Sequence, residues 1–159
     1  MIEIKKILYP TDFSEHSLAA LPIALDLAER YQARLHCLHV VDSENELLRQ
    51  GGYIAPMIRS YPLDAAELRQ SAHDRLEKFL EEHAPAAHAS VNKAVTLGKP
   101  FVEIVRYCRQ EDIALIVLGT HGHSALASIL LGSVAEKVVR KAPCAVLTVR
   151  HPEHEFEAP

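Results

Sequence analysis

Five short apolar runs alternate along this chain with segments whose apolar positions recur every three or four residues. The first run, Ile4 to Tyr9, is closed by Pro10. From Ser14 to Tyr31, Leu18, Leu21, Leu25 and Ala28 line one helix face. Pro22 lies inside that pattern and removes a helical hydrogen bond, which predicts a kink or an irregular first two turns. Arg34 to Val41 reads as a second strand. From Asp42 to Pro62 the periodicity fails, with Gly51-Gly52, Pro56 and Pro62, and predicts a long excursion of the kind that serves as a lid or stays disordered. Glu46 to Arg49 can form one helical turn within it. An amphipathic helix follows from about Leu63 to His83, with Leu68, Ala72, Leu76, Phe79 and Leu80 on one face.

Ala84 to Ala87 reads as a connector and Ala89 to Leu97 as the third strand. Gly98-Lys99-Pro100 opens a helix with proline at its first position, which carries Ile104, Val105 and Cys108 inward and ends near Gln110. The fourth strand is Ile113 to Leu118, a helix runs from Val134 to Lys141, and the fifth strand is Cys144 to Val149.

Strands that are apolar throughout and separated by helices imply an α/β fold, with a parallel sheet covered on both faces. Right-handed crossovers make it an open, doubly wound sheet. Ligands of such sheets sit outside the carboxyl ends of the strands, where strand order reverses. Strands one, two and four end there at Asp12, Val41 and Gly119. At 159 residues the chain is expected to form one domain over residues 1–150, followed by a polar, frayed tail over 151–159.

The formal net charge of −4 disfavours broad binding to nucleic acid. No apolar run is long enough to span a bilayer, so no membrane partner is expected. Met1 to Lys6 lacks the apolar core of a signal peptide. Cys37, Cys108 and Cys144 are odd in number and widely spaced, which favours buried reduced thiols over a disulfide framework. A cytoplasmic setting fits these features.

The chemistry concentrates in Gly119-Thr120-His121-Gly122, nine residues, then Gly132-Ser133. A buried strand, a glycine-bearing loop and a helix start can together hold phosphates. Gly119 and Gly122 let main-chain N–H groups approach an anion, and the helix dipole beyond Ser133 favours negative charge. Ser133 can cap that helix or donate its hydroxyl to a phosphate. Asp12 admits two readings: its carboxylate can accept from ribose hydroxyls or an adenine amino group, or Asp12 or Ser14 caps the first helix.

Other chemistries lack their parts. A dinucleotide-binding turn needs glycines after the first strand, and residues 10–20 contain none. A P-loop fails because Lys99 is followed by Pro100 and position 93 is lysine. Neither a zinc-site spacing around the ten histidines nor a nucleophile elbow for Ser17 is present. His121 and His123 can touch a phosphate or help hold its Mg²⁺, whereas His36 and His39 read as packed or hydrogen-bonded strand residues.

Along nearly its whole length the chain resembles the universal stress protein family. The resemblance is carried by Ile7-Leu8-Tyr9-Pro10-Thr11-Asp12-Phe13-Ser14, Leu38-His39-Val40-Val41 and Gly98-Lys99-Pro100. It is carried most of all by Gly119-Thr120-His121-Gly122 through Leu131-Gly132-Ser133-Val134, which fits the Gly-x-x-Gly, nine residues, Gly-Ser/Thr pattern of the ATP-binding branch. The resemblance implies sheet order 3-2-1-4-5 and a homodimer paired through the strand Cys144 to Val149. It also implies that Pro10, Thr11 and Asp12 border adenine and ribose, and that Val41 meets adenine through its backbone. Gly119, Thr120 and Gly122 would wrap the ribose and α-phosphate, and Gly132, Ser133 and Val134 would hold the β- and γ-phosphates. The ligand would be ATP, or ADP or AMP, with Mg²⁺ possible beside it. Pro22, His121 and His123 depart from the family pattern.

A stress-response or signalling module that binds ATP is the favoured reading. Efficient hydrolysis needs an oriented water and strong positive charge on the transferring phosphate. No base or arginine finger stands near Ser133 in sequence, with Lys137 and Arg140 further along the helix. A slow ATPase and a nucleotide-free dimeric interaction protein are the alternatives.

Overall fold

The structure, a computed structural model, describes residues 3–42, 64–120 and 131–151. The expectations for Gly122, His121 and His123, for the excursion beyond Asp42 and the helix start at Leu63, and for the tail beyond His151 lie outside the described residues.

Five parallel strands form one sheet in the order β3-β2-β1-β4-β5. They are β1 (Lys6–Pro10), β2 (Arg34–Val41), β3 (Asn92–Leu97), β4 (Leu115–Gly119) and β5 (Ala145–Val149). The strand interiors alternate strictly between two apolar layers, because successive side chains of a strand point to opposite faces. Ile7, Tyr9, Leu35, Cys37, Leu115 and Val117 enter one core, together with side chains of α2 (Leu21–Tyr31) and α3 (Ala65–His83). Leu8, Leu38, Ile116 and Leu118 enter the other, beneath α4 (Pro100–Gln110) and α5 (Ser133–Lys141). Helices therefore cover both faces, the doubly wound α/β arrangement that near-continuous apolar strands require. Each fully buried leucine or isoleucine in these layers stabilises the fold by about 1.5–3 kcal/mol.

The apolar stripe read across residues 14–31 divides into two helices, α1 (Glu15–Leu18) and α2. Pro22 falls in the first turn of α2, where its missing N–H leaves no intrahelical bond unmade. The irregularity expected near Pro22 is thus a break at Ala19-Ala20. The third strand begins at Asn92 and not at Ala89, because the amides of His88 and Val91 turn back onto the carbonyls of Ala84 and Ala87.

In α3, Ala72, Leu76, Phe79 and Leu80 are buried at helical spacing, no glycine or proline interrupts residues 65–83, and the Asp64 side chain caps the first turn. Beside its last turns the Glu77 carboxylate meets Lys93 Nζ at 3.1 Å and His88 Nε2 at 2.9 Å. Bonding to Lys93, then to His88, holds Glu77 below the usual carboxylate range. Among the described residues no helix is long and apolar enough to cross a membrane.

Candidate functional site

All strands run in one direction, so their carboxyl ends share one edge of the sheet. Pro10 pairs with Leu38, and the Thr11 amide donates to the Leu38 carbonyl at 2.9 Å, continuing the ladder one step past β1. Val41 ends β2, and its carbonyl accepts the Gly98 amide at 3.0 Å. Gly119 ends β4, and the Thr120 amide donates to the Val149 carbonyl at 2.9 Å. The Gly132 amide then donates to the Thr120 carbonyl at 2.6 Å, which brings the start of α5 to the same edge. Pro10, Thr11, Asp12, Val41, Gly119, Thr120, Gly132, Ser133 and Val134 are therefore gathered along this edge.

Geometry changes what several of them can do. Thr11 is held on all sides: its hydroxyl lies 2.9 Å from Ser17 Oγ and accepts the Phe13 amide, and its carbonyl oxygen is 2.8 Å from His39 Nδ1. A carbonyl only accepts, so His39 carries its proton on Nδ1. Of the two residues that could cap the first helix, Ser14 does so and Asp12 braces it. Its Oδ1 accepts from the Ser14 amide at 3.0 Å and from the Ser14 hydroxyl, fixing the turn, while Ser14 itself caps α1 through the Ser17 amide.

Gly119 serves a purpose that its sequence motif does not disclose. A Cβ there would lie 2.3 Å from the His16 carbonyl oxygen and 3.1 Å from Ser17 Cα, so α1 rests directly on the β4 main chain. The glycine is needed by the protein's own backbone. The amides of Thr120 and Gly132 are likewise engaged internally, which removes both from the set of phosphate donors expected between positions 119 and 134.

Among the described residues, the donors that remain belong to α5. Gly132 caps it without a side chain, and the intrahelical ladder begins with the Glu136 amide on the Gly132 carbonyl at 2.9 Å. Helical geometry leaves Ser133, Val134 and Ala135 with amides that have no intrahelical acceptor. Together with the helix dipole they make an anion-binding terminus. Ser133 is exposed, whereas Val134 is half-buried against the second core. Further along α5, Lys137 Nζ lies 5.0 Å above the Phe101 ring and Arg140 pairs with Glu136 at 3.0 Å.

One group escaped the sequence reading. Phe13 has φ +64°, a left-handed conformation that a bulky side chain seldom adopts. Its ring lies 4.3 Å from His39 and 5.4 Å from Phe79, with the Arg75 guanidinium 4.4 Å from its centre. The bonds from the Phe13 amide to Thr11 Oγ1 and from the Ser14 amide to Asp12 Oδ1 hold it there. Four residues from β1's loop, β2 and α3 thus form an aromatic and cationic wall beside Asp12. An aromatic residue wedged between a turn aspartate and a cap serine was the available signal.

His36 is also packed, as expected, with Nδ1 2.9 Å from the Tyr107 hydroxyl. Burial lowers the pKa of His36 and pushes that of Tyr107 up to about 12.

The family model of the universal stress proteins matches residues 3–150. Universal stress protein MJ0531 of Methanocaldococcus jannaschii is 33% identical over 156 residues, covering 95% of this chain and 85% of its own length. The solved structure of MJ0577, a universal stress protein of the same organism, superposes with a TM-score of 0.68 at 30% identity, covering 96% of this chain and 99% of that one. Two more distant chains share the fold. A universal stress protein in complex with cAMP has a TM-score of 0.58 at 21% identity, covering 94% of this chain and 98% of its own. One from Archaeoglobus fulgidus in complex with dAMP has a TM-score of 0.54 at 18% identity, covering 93% of this chain and 98% of its own. With the matching strand order, the conclusion is direct: this chain belongs to the universal stress protein family.

Proposed function

We propose that this protein binds an adenine nucleotide, ATP foremost, at the carboxyl edge of its sheet and acts as a cytoplasmic stress-response or signalling module. The observation that carries the reading is the first turn of α5, whose Ser133, Val134 and Ala135 amides have no intrahelical acceptor and stand on the same edge as Asp12 and Val41. Phosphates belong at that terminus, with Mg²⁺ admitted by the phosphate oxygens. The base and ribose belong between Asp12 and Val41, bordered by Pro10 and Thr11. That chains of this fold hold cAMP and dAMP supports an adenine ligand. Gly122 completes the wrap around the ribose in this reading. Turnover is not part of the proposal, since phosphoryl transfer needs a cation aimed at the transferring group, and Lys137 and Arg140 are engaged with Phe101 and Glu136.

Calorimetric titration with ATP, ADP, AMP and cAMP, preceded by native mass spectrometry of freshly purified protein, tests the reading. Saturable binding at one site per protomer is expected, tightest for ATP. Absence of both retained nucleotide and titration heat for all four would leave the nucleotide-free interaction protein as the better account.

We also propose a homodimer through β5, the strand expected from Cys144 to Val149. β5 ends the sheet, and an open apolar edge invites pairing with a second copy. Leu147 on β5 and Val139 on α5 are 39% and 46% exposed, large apolar surface beside that edge. Leu147→Lys is expected to convert the dimer to monomer in sedimentation velocity runs. A wild-type protein that sediments as monomer at every concentration would dispose of the dimer.

A further inference from the structure

The sulfur atoms of Cys108 and Cys144 lie 3.1 Å apart, although all three cysteines are free thiols. Cys108 stands in the last turns of α4 and is 1% exposed; Cys144 is half-buried and directly precedes β5. A disulfide needs about 2.05 Å between sulfurs, so closing the gap takes a movement of roughly 1 Å. Cys37 is excluded as a partner because it lies in the other core layer, across the sheet.

We propose that Cys108 and Cys144 form a reversible disulfide within one chain when the protein meets a peroxide. Cys144, the more accessible sulfur, is the point of attack. Its thiolate takes an oxygen from hydrogen peroxide, cleaving the O–O bond and leaving hydroxide, which collects the thiol proton as water. The resulting sulfenic acid then loses its hydroxyl to the incoming Cys108 sulfur. That hydroxyl departs with the Cys108 proton as a second water. Two thiols and one peroxide thus give one disulfide and two waters. Burial pushes the Cys108 thiol up to about 12, consistent with its acting second, on an already oxidised neighbour.

The bond would tie α4 to the entry of β5, closing a loop that spans β4, the Gly119–Ser133 segment and α5. Both cysteines lie toward the amino ends of β4 and β5, opposite the candidate nucleotide edge, so the site does not depend on nucleotide binding. Closure restricts the unfolded chain, so the oxidised form is expected to melt at a higher temperature than the reduced one.

The test uses the full chain, reduced, desalted and exposed to hydrogen peroxide. Thiols counted after denaturation should fall from three to one and return with a dithiol reductant. Peptide mapping should join the Cys108 and Cys144 peptides, and non-reducing electrophoresis should show no covalent dimer. Cys37→Ala should still lose two thiols, whereas Cys108→Ala should form no intrachain bond. Three surviving thiols in the wild type, a bond between chains, or Cys144 oxidised to sulfinic acid with Cys108 untouched would each overturn the proposal. The wild-type measurements decide the matter even where a variant does not fold.

Discussion

Alanine at position 119 is expected to destabilise the fold by about 3 kcal/mol, near the upper end of what overpacking commonly costs. The added methyl group would meet the His16 carbonyl oxygen at 2.3 Å and its carbonyl carbon at 2.8 Å. Both are main-chain atoms of α1, so no rotamer change can relieve the overlap. The helix must lift from β4 as a body. That movement pulls on Ser17, whose carbonyl accepts from the Tyr9 hydroxyl at 3.0 Å and whose own hydroxyl meets Thr11. Urea unfolding of Gly119→Ala should show a lower midpoint with an unchanged slope. If Gly119 served only to let a phosphate approach, the midpoint would stay at the wild-type value and nucleotide affinity alone would fall. The two roles therefore separate cleanly.

Aspartate in place of Ser133 is expected to weaken ATP binding more than about a hundredfold, or about 3 kcal/mol, through like-charge repulsion and loss of a hydroxyl donor. The same change should leave the fold as stable or raise its stability by about 0.3–1 kcal/mol, because a negative charge in a first helical turn complements the dipole. Ser133 is exposed and stands one residue inside the cap position held by Gly132, which keeps the two effects independent. Affinity by calorimetry should fall while stability by urea titration holds or rises. Unchanged affinity in Ser133→Asp would move the phosphates away from α5.

The sequence made the centre of the sheet legible because β1 and β4 are buried on both faces and therefore almost wholly apolar. Ile7 to Tyr9 and Leu115 to Leu118 could be placed without knowing what covered them. The spacing presents Pro22 as a disturbance of one helix, whereas it stands in the first turn of a second. Proline statistics permit both, and only the packing of Ala20 and Leu21 into the core chooses. At the candidate site, the pattern from Gly119 to Ser133 located the edge but not the duties of its members. What fills the space at Gly119 is a carbonyl some hundred residues away in the chain, invisible to any local motif. The Phe13, His39, Arg75 and Phe79 wall went unread for the same reason, since its parts meet only after β1, β2 and α3 have packed.

The 2.6 Å contact from Gly132 to Thr120 pins both ends of the stretch between them at one neck above the sheet. For a chain anchored so, each doubling of length adds only about 0.6 kcal/mol of closure entropy. Lengthening that stretch by a few residues is accordingly expected to cost the fold little, since the strands beneath are paired without it.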